Sequence, residues 1–440
     1  MAYAVGLLVL LVGLLVSIAL HEVGHMVPAK RFGVRVSRYM VGFGPTLWSR
    51  TRGETEYGLK AIPLGGYVRL VGMLPSADVV GVKPRAGRIG ELVEASREAS
   101  AEEILPGEEH RAFYRLSTPK KVVVMLGGPF MNLLIAAVLL TVVLVGFGVP
   151  GASTTVGVVG SCVMDPREEA AGTACTEGDP AVPAALAGLE VGDRLVSLGG
   201  TPIEGWTDFQ DVVRGSGGSA LDLVVERAGE TVTLELTPVV TERPARDETG
   251  AVLLDDEGEM VTERVPYVGI SPTTELQPQP ITSVPGALGS AVGQTVGVIG
   301  ALPSQLVGVV QSLVGQTERD ATSVVGPVGI GRFAGEIASA DAPGYGMAER
   351  VASMLSLLAS LNIALFVFNL IPLLPLDGGH VVGALWEGAK RQVARVRGLP
   401  RPAPADVARM MPLAYGVFAV LVVMGVLLMY ADLVKPVTLG

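Results

Sequence analysis

Residues 3–25 read YAVGLLVLLVGLLVSIALHEVGH, an aliphatic run that ends in His21-Glu22-Val23-Gly24-His25. The run over 3–20 is long enough to enter a bilayer core roughly 30 Å thick. It has neither the basic start nor the small-residue cleavage site of a secretory leader, so it is expected to be retained as a membrane span. Positions i and i+4 of a helix share one face, one turn apart, which lets both imidazoles reach a single ion. Glu22 between them suits a general base that takes a proton from water activated by the metal. Zinc fits such a pair because it brings the pKa of bound water to about 7 and polarises a scissile carbonyl. The bland alternative is a chance cluster of polar residues at a helix end. Two facts weigh against it: the chain has four histidines and two of them fall here, and ionisable groups attached to an apolar span are costly unless used.

The rest of the chain has the composition that such a span demands. Of 440 residues, 49% are apolar and 17% charged, with mean hydropathy +0.49. A soluble domain carries about 25% charge, so the chain reads as an integral membrane protein. Further apolar runs over 122–149, 354–376 and 413–430 bring the total to about four transmembrane helices. The stretch 281–314 holds Gln294, Gln305, Gln311 and Pro303, and suits an amphipathic helix at the interface better than a span. Lys30, Arg31, Arg35, Arg38, Arg50 and Arg52 follow the first run, and Lys390, Arg391, Arg395, Arg397 and Arg401 lie between the last two. Basic loops beside spans stay cytoplasmic, which puts both termini and the region 150–350 outside. The net charge of −10, with no basic stripe, argues against a nucleic-acid partner. Cys162 and Cys175 form a disulfide if their region faces an oxidising compartment, or stand as two free thiols; the sequence leaves both open.

The third run ends in NLIPLLPLDGGH at 369–380. Pro372 and Pro375 prevent a regular helix, and Gly378-Gly379 allows a sharp turn. Irregular backbone at membrane depth is tolerated only where protein or a water-filled cavity surrounds it. A catalytic zinc takes three protein ligands and water. Asp377 is therefore a candidate third ligand, the alternative being an interfacial Asp that caps the next helix. Taken alone, His380 is also a plausible imidazole ligand. Residues 34–73 read as short strands and turns, including Val41-Gly42-Phe43-Gly44-Pro45 and Leu64-Gly65-Gly66-Tyr67-Val68. An edge strand there could pair with an unwound substrate backbone, whereas a plain surface hairpin would do nothing chemical. The stretch 86–109 reads as a polar insertion without chemistry, and His110 as a surface histidine.

HEVGH at 21–25, GFGP at 42–45, LGGPFMN at 126–132, GPVGI at 326–330 and NLIPLLPLDGGH at 369–380 stand in one order over nearly the whole chain. In that order they resemble the site-2 protease family of intramembrane zinc metalloproteases, in its bacterial form with an extracytoplasmic PDZ domain. The resemblance implies hydrolysis of a transmembrane helix within the bilayer. It places zinc on His21, His25 and Asp377 and the base at Glu22. Asn369 would bind substrate backbone or the developing oxyanion, and the hairpin with Gly42, Phe43 and Gly44 would dip into the membrane beside the site to contact substrate. Single-span membrane proteins are the implied substrates, in bacterial relatives anti-sigma factors or remnant signal peptides. AALAGLEVGDRLVSLGG at 184–200 resembles the PDZ repeat of bacterial proteases, with a helix expected over 206–213 and strands over 221–226 and 231–236 around an Ala228-Gly229 turn. Such a unit binds a peptide terminus by strand addition, or merely screens bulky ectodomains from the site.

The fold expected is thus a polytopic α-helical membrane protein of about four transmembrane helices. It carries a membrane-associated β-hairpin region and an extracytoplasmic α+β PDZ domain, and sits in the cell inner or plasma membrane. Its segments are 1–30 with HEVGH, the re-entrant β region and polar loop 31–121, a span at 122–149 and the PDZ domain at 157–240. A linker and amphipathic helix at 241–350, a span at 351–384, a cytoplasmic loop at 385–410 and a span at 411–432 complete the chain. Two other classes fit less well. A metal transporter would need no general base in its one short metal cluster, and an inactive PDZ scaffold would not be expected to keep the His, Glu and Asp set.

Overall fold

Helix α1 (Ala2–Arg31) carries the HEVGH residues in its last third. Two long helices pack on it: α3 (Thr118–Thr141, continued by a π-helical turn over Val142–Phe147) and α7 (Met347–Leu370). The computed structural model describes residues 1–437 apart from 84–86, 168–173, 177, 246–251, 256–258, 317–318, 320–322 and 342–344. The chain divides into two compact units, Met1–Phe147 with Gln279–Gly440, and Gly148–Pro278.

Glycines set the approach of α1 and α3. A Cβ added at Gly24 would lie 2.2 Å from the Gly127 carbonyl oxygen, and one at Gly127 would lie 2.0 Å from that of Gly24. The two backbones touch, which is how helices pair where the surroundings are as apolar as their side chains. Gly127→Ala is therefore expected to destabilise this unit by about 1–3 kcal/mol through forced separation of the pair. Gly416→Ala, where nothing lies within 4 Å of the added carbon, should instead be neutral or stabilise by about 0.5–1 kcal/mol. Thermal unfolding of the two variants in one detergent compares them directly.

The directions of the helices follow from the contacts. α3 runs against α1: Gly24 meets Gly127, while Leu139 packs on the apolar cluster of Leu10. α7 runs with α1: Gly13 faces Leu358, and the buried Asn362 donates from Nδ2 to Ser17 Oγ at 3.0 Å. The far end of α3 and the start of α7 thus lie at the same end of the bundle, and HEVGH and the end of α7 lie at the other.

Among the described residues, five helices are long and apolar enough to cross a membrane, not four. The addition is the 281–314 stretch assigned above to the interface. It forms an unbroken 30-residue helix, α5 (Val284–Leu313), with Pro303 inside it, and at 1.5 Å per residue a helix of that size is about 45 Å long. Just before it, Gln279 N–H donates to the Leu144 carbonyl at the far end of α3. Near its end, Val309 packs against Leu428 and Ala431 in the last turns of α9 (Met411–Val434). Asp432 of α9 in turn bonds Gly329 N–H at the start of α6 (Pro327–Ser339), a helix that lies on Tyr3 and Gly6 of α1. Both ends of α5 are therefore held toward the end of the bundle where α1 begins.

At the HEVGH end, buried ion pairs join segments far apart in sequence. Lys121 of α3 lies 2.8 Å from Glu387 of α8 (Asp377–Val396), and Glu387 also pairs with Arg391 at 2.7 Å and accepts from Ala405 N–H. The polar insertion forms helix α2 (Arg88–Ala101), whose Arg97 reaches Asp406 at 2.6 Å just before α9. A charge buried this far from water must be paired, so these contacts fix how α8 enters the bundle.

Strands β1 (Val36–Arg52) and β2 (Thr55–Leu70) form the region between the first two spans. Residues 38–41 have partners in both 56–59 and 66–69, so the pair curls into a small sheet with 38–41 inside. Tyr39 Oη donates to the Ala19 carbonyl at 2.7 Å and ties the sheet to α1.

The second unit is wider than the 157–240 stretch read from sequence. Its main sheet runs β10-β3-β4-β6-β7, from β3 (Val149–Val159), β4 (Arg194–Leu198), β6 (Leu221–Arg227), β7 (Glu230–Leu236) and β10 (Ile270–Gln277), with β5 (Thr201–Pro202) beside β4. A separate hairpin joins β8 (Val239–Pro244) to β9 (Thr262–Tyr267). The core holds Leu195, Leu198, Leu223, Val225 and Leu236, with Phe209 and Val213 from α4 (Trp206–Gly215). Ala228 and Gly229 both have positive φ, the backbone a tight β6–β7 turn requires. Buried Asp193 accepts from Glu190 N–H at 2.9 Å and from Arg227 at 2.7 Å. Those Arg227 bonds hold its carboxyl below the usual range and clamp the Gly192-Asp193 turn onto β6. Cys162 and Cys175 are joined as a disulfide, which resolves the alternative left open above.

Candidate active site

The two HEVGH histidines lie on one face of α1, as their spacing requires, and their Nε2 atoms are 3.2 Å apart. Asp377 Oδ2 completes the triangle, 3.4 Å from His21 Nε2 and 3.3 Å from His25 Nε2. Asp377 reaches them because α7 stops at Leu370 and the proline-broken stretch 371–376 leads into α8, whose first residue is Asp377. Glycine makes room for this turn: a Cβ at Gly378 would lie 2.4 Å from the Ile371 carbonyl oxygen, and one at Gly379 would lie 2.6 Å from Leu374 N. The resemblance had placed the third member at Asp377 rather than His380. Among the described residues these three are the group of histidines and carboxylates close enough to share an ion, and His380 is not in it.

A fit test for zinc rests on three features. Nitrogen ligands about 2.0–2.1 Å from a tetrahedral zinc stand about 3.3 Å from each other, which matches the triangle. Asp377 Oδ2 is buried without a hydrogen-bond partner, a costly state for a carboxylate oxygen that a cation would relieve. His25 Nδ1 lies 2.8 Å from the Val124 carbonyl, which can only accept, so Nδ1 carries the proton and Nε2 turns a lone pair to the centre. The set of two imidazoles and a carboxylate fits a zinc ion.

α3 closes the site from the other side. A Cβ at Gly128 would come within 2.2 Å of His25 Nε2 and 2.7 Å of His21 Nε2, so the imidazoles occupy the space over that glycine. Four residues on, fully buried Asn132 places Nδ2 3.1 Å from His21 Nδ1. LGGPFMN at 126–132 assigns Asn132 no role by resemblance; an amide on an apolar helix is the signal that singles it out.

Glu22, buried beside the histidines, faces β2, with Gly66 next to its Cγ. The stretch 66–69 pairs with 38–41 on one side, with no strand on its other side among the described residues. Gly42 has φ +92°, and the Ile62 carbonyl oxygen would lie 2.7 Å from an added Cβ. Phe43 is 46% exposed and stacks on Tyr67, with ring centroids 6.3 Å apart. The strand nearest Glu22 is thus 66–69, with Gly42, Phe43 and Gly44 toward the bend where β1 turns past Ile62. Asn369 lies in the last turn of α7 and spends its amide on the Leu365 carbonyl at 3.0 Å.

Comparison with known proteins gives the family. The family model described as peptidase family M50 matches residues 9–400. The zinc metalloprotease Rip1 of Mycobacterium tuberculosis is 34% identical over 450 aligned residues that cover all of both chains. Rip1 of Mycolicibacterium smegmatis is 31% identical, again over both full lengths. The metalloprotease MmpA of Caulobacter vibrioides is 30% identical over 89% of each chain. The family match takes in all of the chain but its first eight residues and the stretch after 400 that holds the last helix, and the chain belongs to peptidase family M50, the site-2 proteases.

Proposed function

We propose that this zinc metalloprotease hydrolyses peptide bonds inside the transmembrane segments of single-span membrane proteins. The observation that carries the reading is the triangle of His21, His25 and Asp377 donor atoms, 3.2–3.4 Å apart, built at one end of a bundle of membrane-length helices. His21, His25 and Asp377 would hold the ion, and Glu22 next to them would take and return the proton of the attacking water. Zinc bound there supplies Lewis-acid polarisation of the scissile carbonyl and an acidified water. A transmembrane helix hides its peptide bonds in its own hydrogen bonds, so it must unwind before attack. The curled sheet of β1 and β2 answers this need: an unwound segment adds to an exposed strand beside Glu22, with Gly42, Phe43 and Gly44 guiding it at the bend. Asn369, once its amide swings away from Leu365, binds the substrate backbone or the developing oxyanion.

The chain crosses the membrane four times in this account. α1 and α7 run in parallel and α3 against them, so an even number of crossings must separate α3 from α7. α6 has 13 residues and is too short to cross, at about 20 Å; α5 therefore does not cross either. The basic segments after α1 and between α7 and α9 belong to the cytoplasm, which puts the active site near that face and the second unit outside. The Cys162–Cys175 disulfide suits that oxidising side.

The second unit acts as a PDZ domain on the extracytoplasmic side, either docking a peptide terminus or keeping bulky ectodomains from the site. Deleting 148–278 should leave cleavage of a short-tailed substrate intact and raise cleavage of one with its ectodomain still attached, if it screens. Loss of both cleavages in a folded deletion variant assigns it a docking role. Substrates already shortened by another protease, such as anti-sigma factors or remnant signal peptides, fit this arrangement. The reading as a whole is tested by zinc content and by cleavage of a model transmembrane peptide in detergent. About one zinc per chain is expected, with cleavage lost on chelation and restored by zinc; a metal-free enzyme that still cleaves refutes it.

A further inference from the structure

We infer that Asn132 is a positioning residue for the metal centre, with its side-chain oxygen accepting a hydrogen bond from His21 Nδ1–H. The inference rests on the zinc reading above and concerns what keeps His21 ready to bind.

His21 Nε2 and His25 Nε2 face one another and Asp377 Oδ2 at 3.2–3.4 Å. For both imidazoles to offer lone pairs there, each must carry its proton on Nδ1. His25 has that arrangement enforced by the Val124 carbonyl, 2.8 Å from its Nδ1. Among the described residues His21 has no backbone acceptor in the equivalent place; its Nδ1 meets the Asn132 amide at 3.1 Å. The two ends of an amide are alike in shape, and hydrogen bonding decides which of them faces a neighbour. If Nδ2 faced His21, it would donate to a bare Nδ1, the ring proton would move to Nε2, and that proton would point into the centre. If Oδ1 faces His21, Nδ1 keeps its proton and Nε2 is free. Oδ1 is available for this, because it is buried without another partner among the described residues. Asn132 is fully buried, and its amide is the group that His21 Nδ1 meets, so its orientation sets the tautomer of His21.

The arrangement is an amide counterpart of the outer partners that orient metal-bound histidines, whose loss costs about 10- to 100-fold in metal affinity. The test is a zinc-affinity measurement on the full-length protein in detergent, by competition with a chelator, for wild type, Asn132→Ala and Asn132→Asp. Asn132→Ala should bind zinc about 10- to 100-fold more weakly, while Asn132→Asp, whose carboxylate can only accept, should bind at least as tightly as wild type. Should Asn132→Ala fail to fold, Asn132→Asp still decides: weak binding by a folded Asp variant would mean that the amide donates, and overturns the inference. Unchanged affinity in Asn132→Ala overturns it as well. The zinc reading fails separately, if wild type itself takes up no zinc, and the inference then falls with it.

Discussion

Glu22→Gln retains zinc at the wild-type level and loses about 10²- to 10⁴-fold in cleavage rate, the span that a positioned general base contributes. The change keeps the volume of the side chain and every candidate ligand, and removes only the carboxylate proposed to take the proton. Glu22 is buried against Gly66 of the sheet, and the described carboxylate grouped with its neighbouring histidines, Asp377, is the proposed zinc ligand. Single-turnover cleavage of a transmembrane peptide, alongside zinc content by mass spectrometry, separates the two effects. A variant that cleaves within about tenfold of wild type takes Glu22 out of the mechanism.

The second large effect belongs to Asp377. Asp377→Ala removes the one anionic ligand, and zinc affinity should fall by more than the roughly 100-fold that loss of an outer partner costs; cleavage falls with it. His380→Ala should keep most of both, since His380 stands outside the triangle that the donors of His21, His25 and Asp377 form. The comparison is a sharp one because the two residues share the first turn of α8, so a general disturbance of that helix would affect them alike. Zinc loss in His380→Ala with zinc retained in Asp377→Ala reverses the assignment.

Much of this was legible in the chain because membrane spans are local. A run such as 3–20 announces itself by composition, and the i, i+4 histidines announce their shared face. What sequence shows less well lies in contacts between distant segments. The 281–314 stretch, placed at the interface by its glutamines and Pro303, forms one helix of spanning length; the parity of α1, α3 and α7, invisible in sequence, supports keeping it at the interface. The apolar run continues to 376, but the helix stops at Leu370, as Pro372 and Pro375 require. The polar insertion was read as a loop because Arg88–Ala101 carries little apolar periodicity; its Arg97–Asp406 pair spans 309 positions. The second unit was cut short at 240 because β8, β9 and β10 lie beyond the repeat-like stretch that drew attention. At the site, motif spacing gave His21, Glu22 and His25, whereas Val124 and Asn132 come from another element and became visible only when the chain was folded.

The central claim is that hydrolysis happens within the membrane. Its most direct test is to map the cut. A single-span substrate is reconstituted with the enzyme in lipid vesicles, and the products are sized by mass spectrometry. The account predicts a cut inside the apolar stretch of the substrate, toward its cytoplasmic end, absent with Glu22→Gln and with the zinc removed. A cut confined to the polar flanks, or one that survives Glu22→Gln, would contradict it.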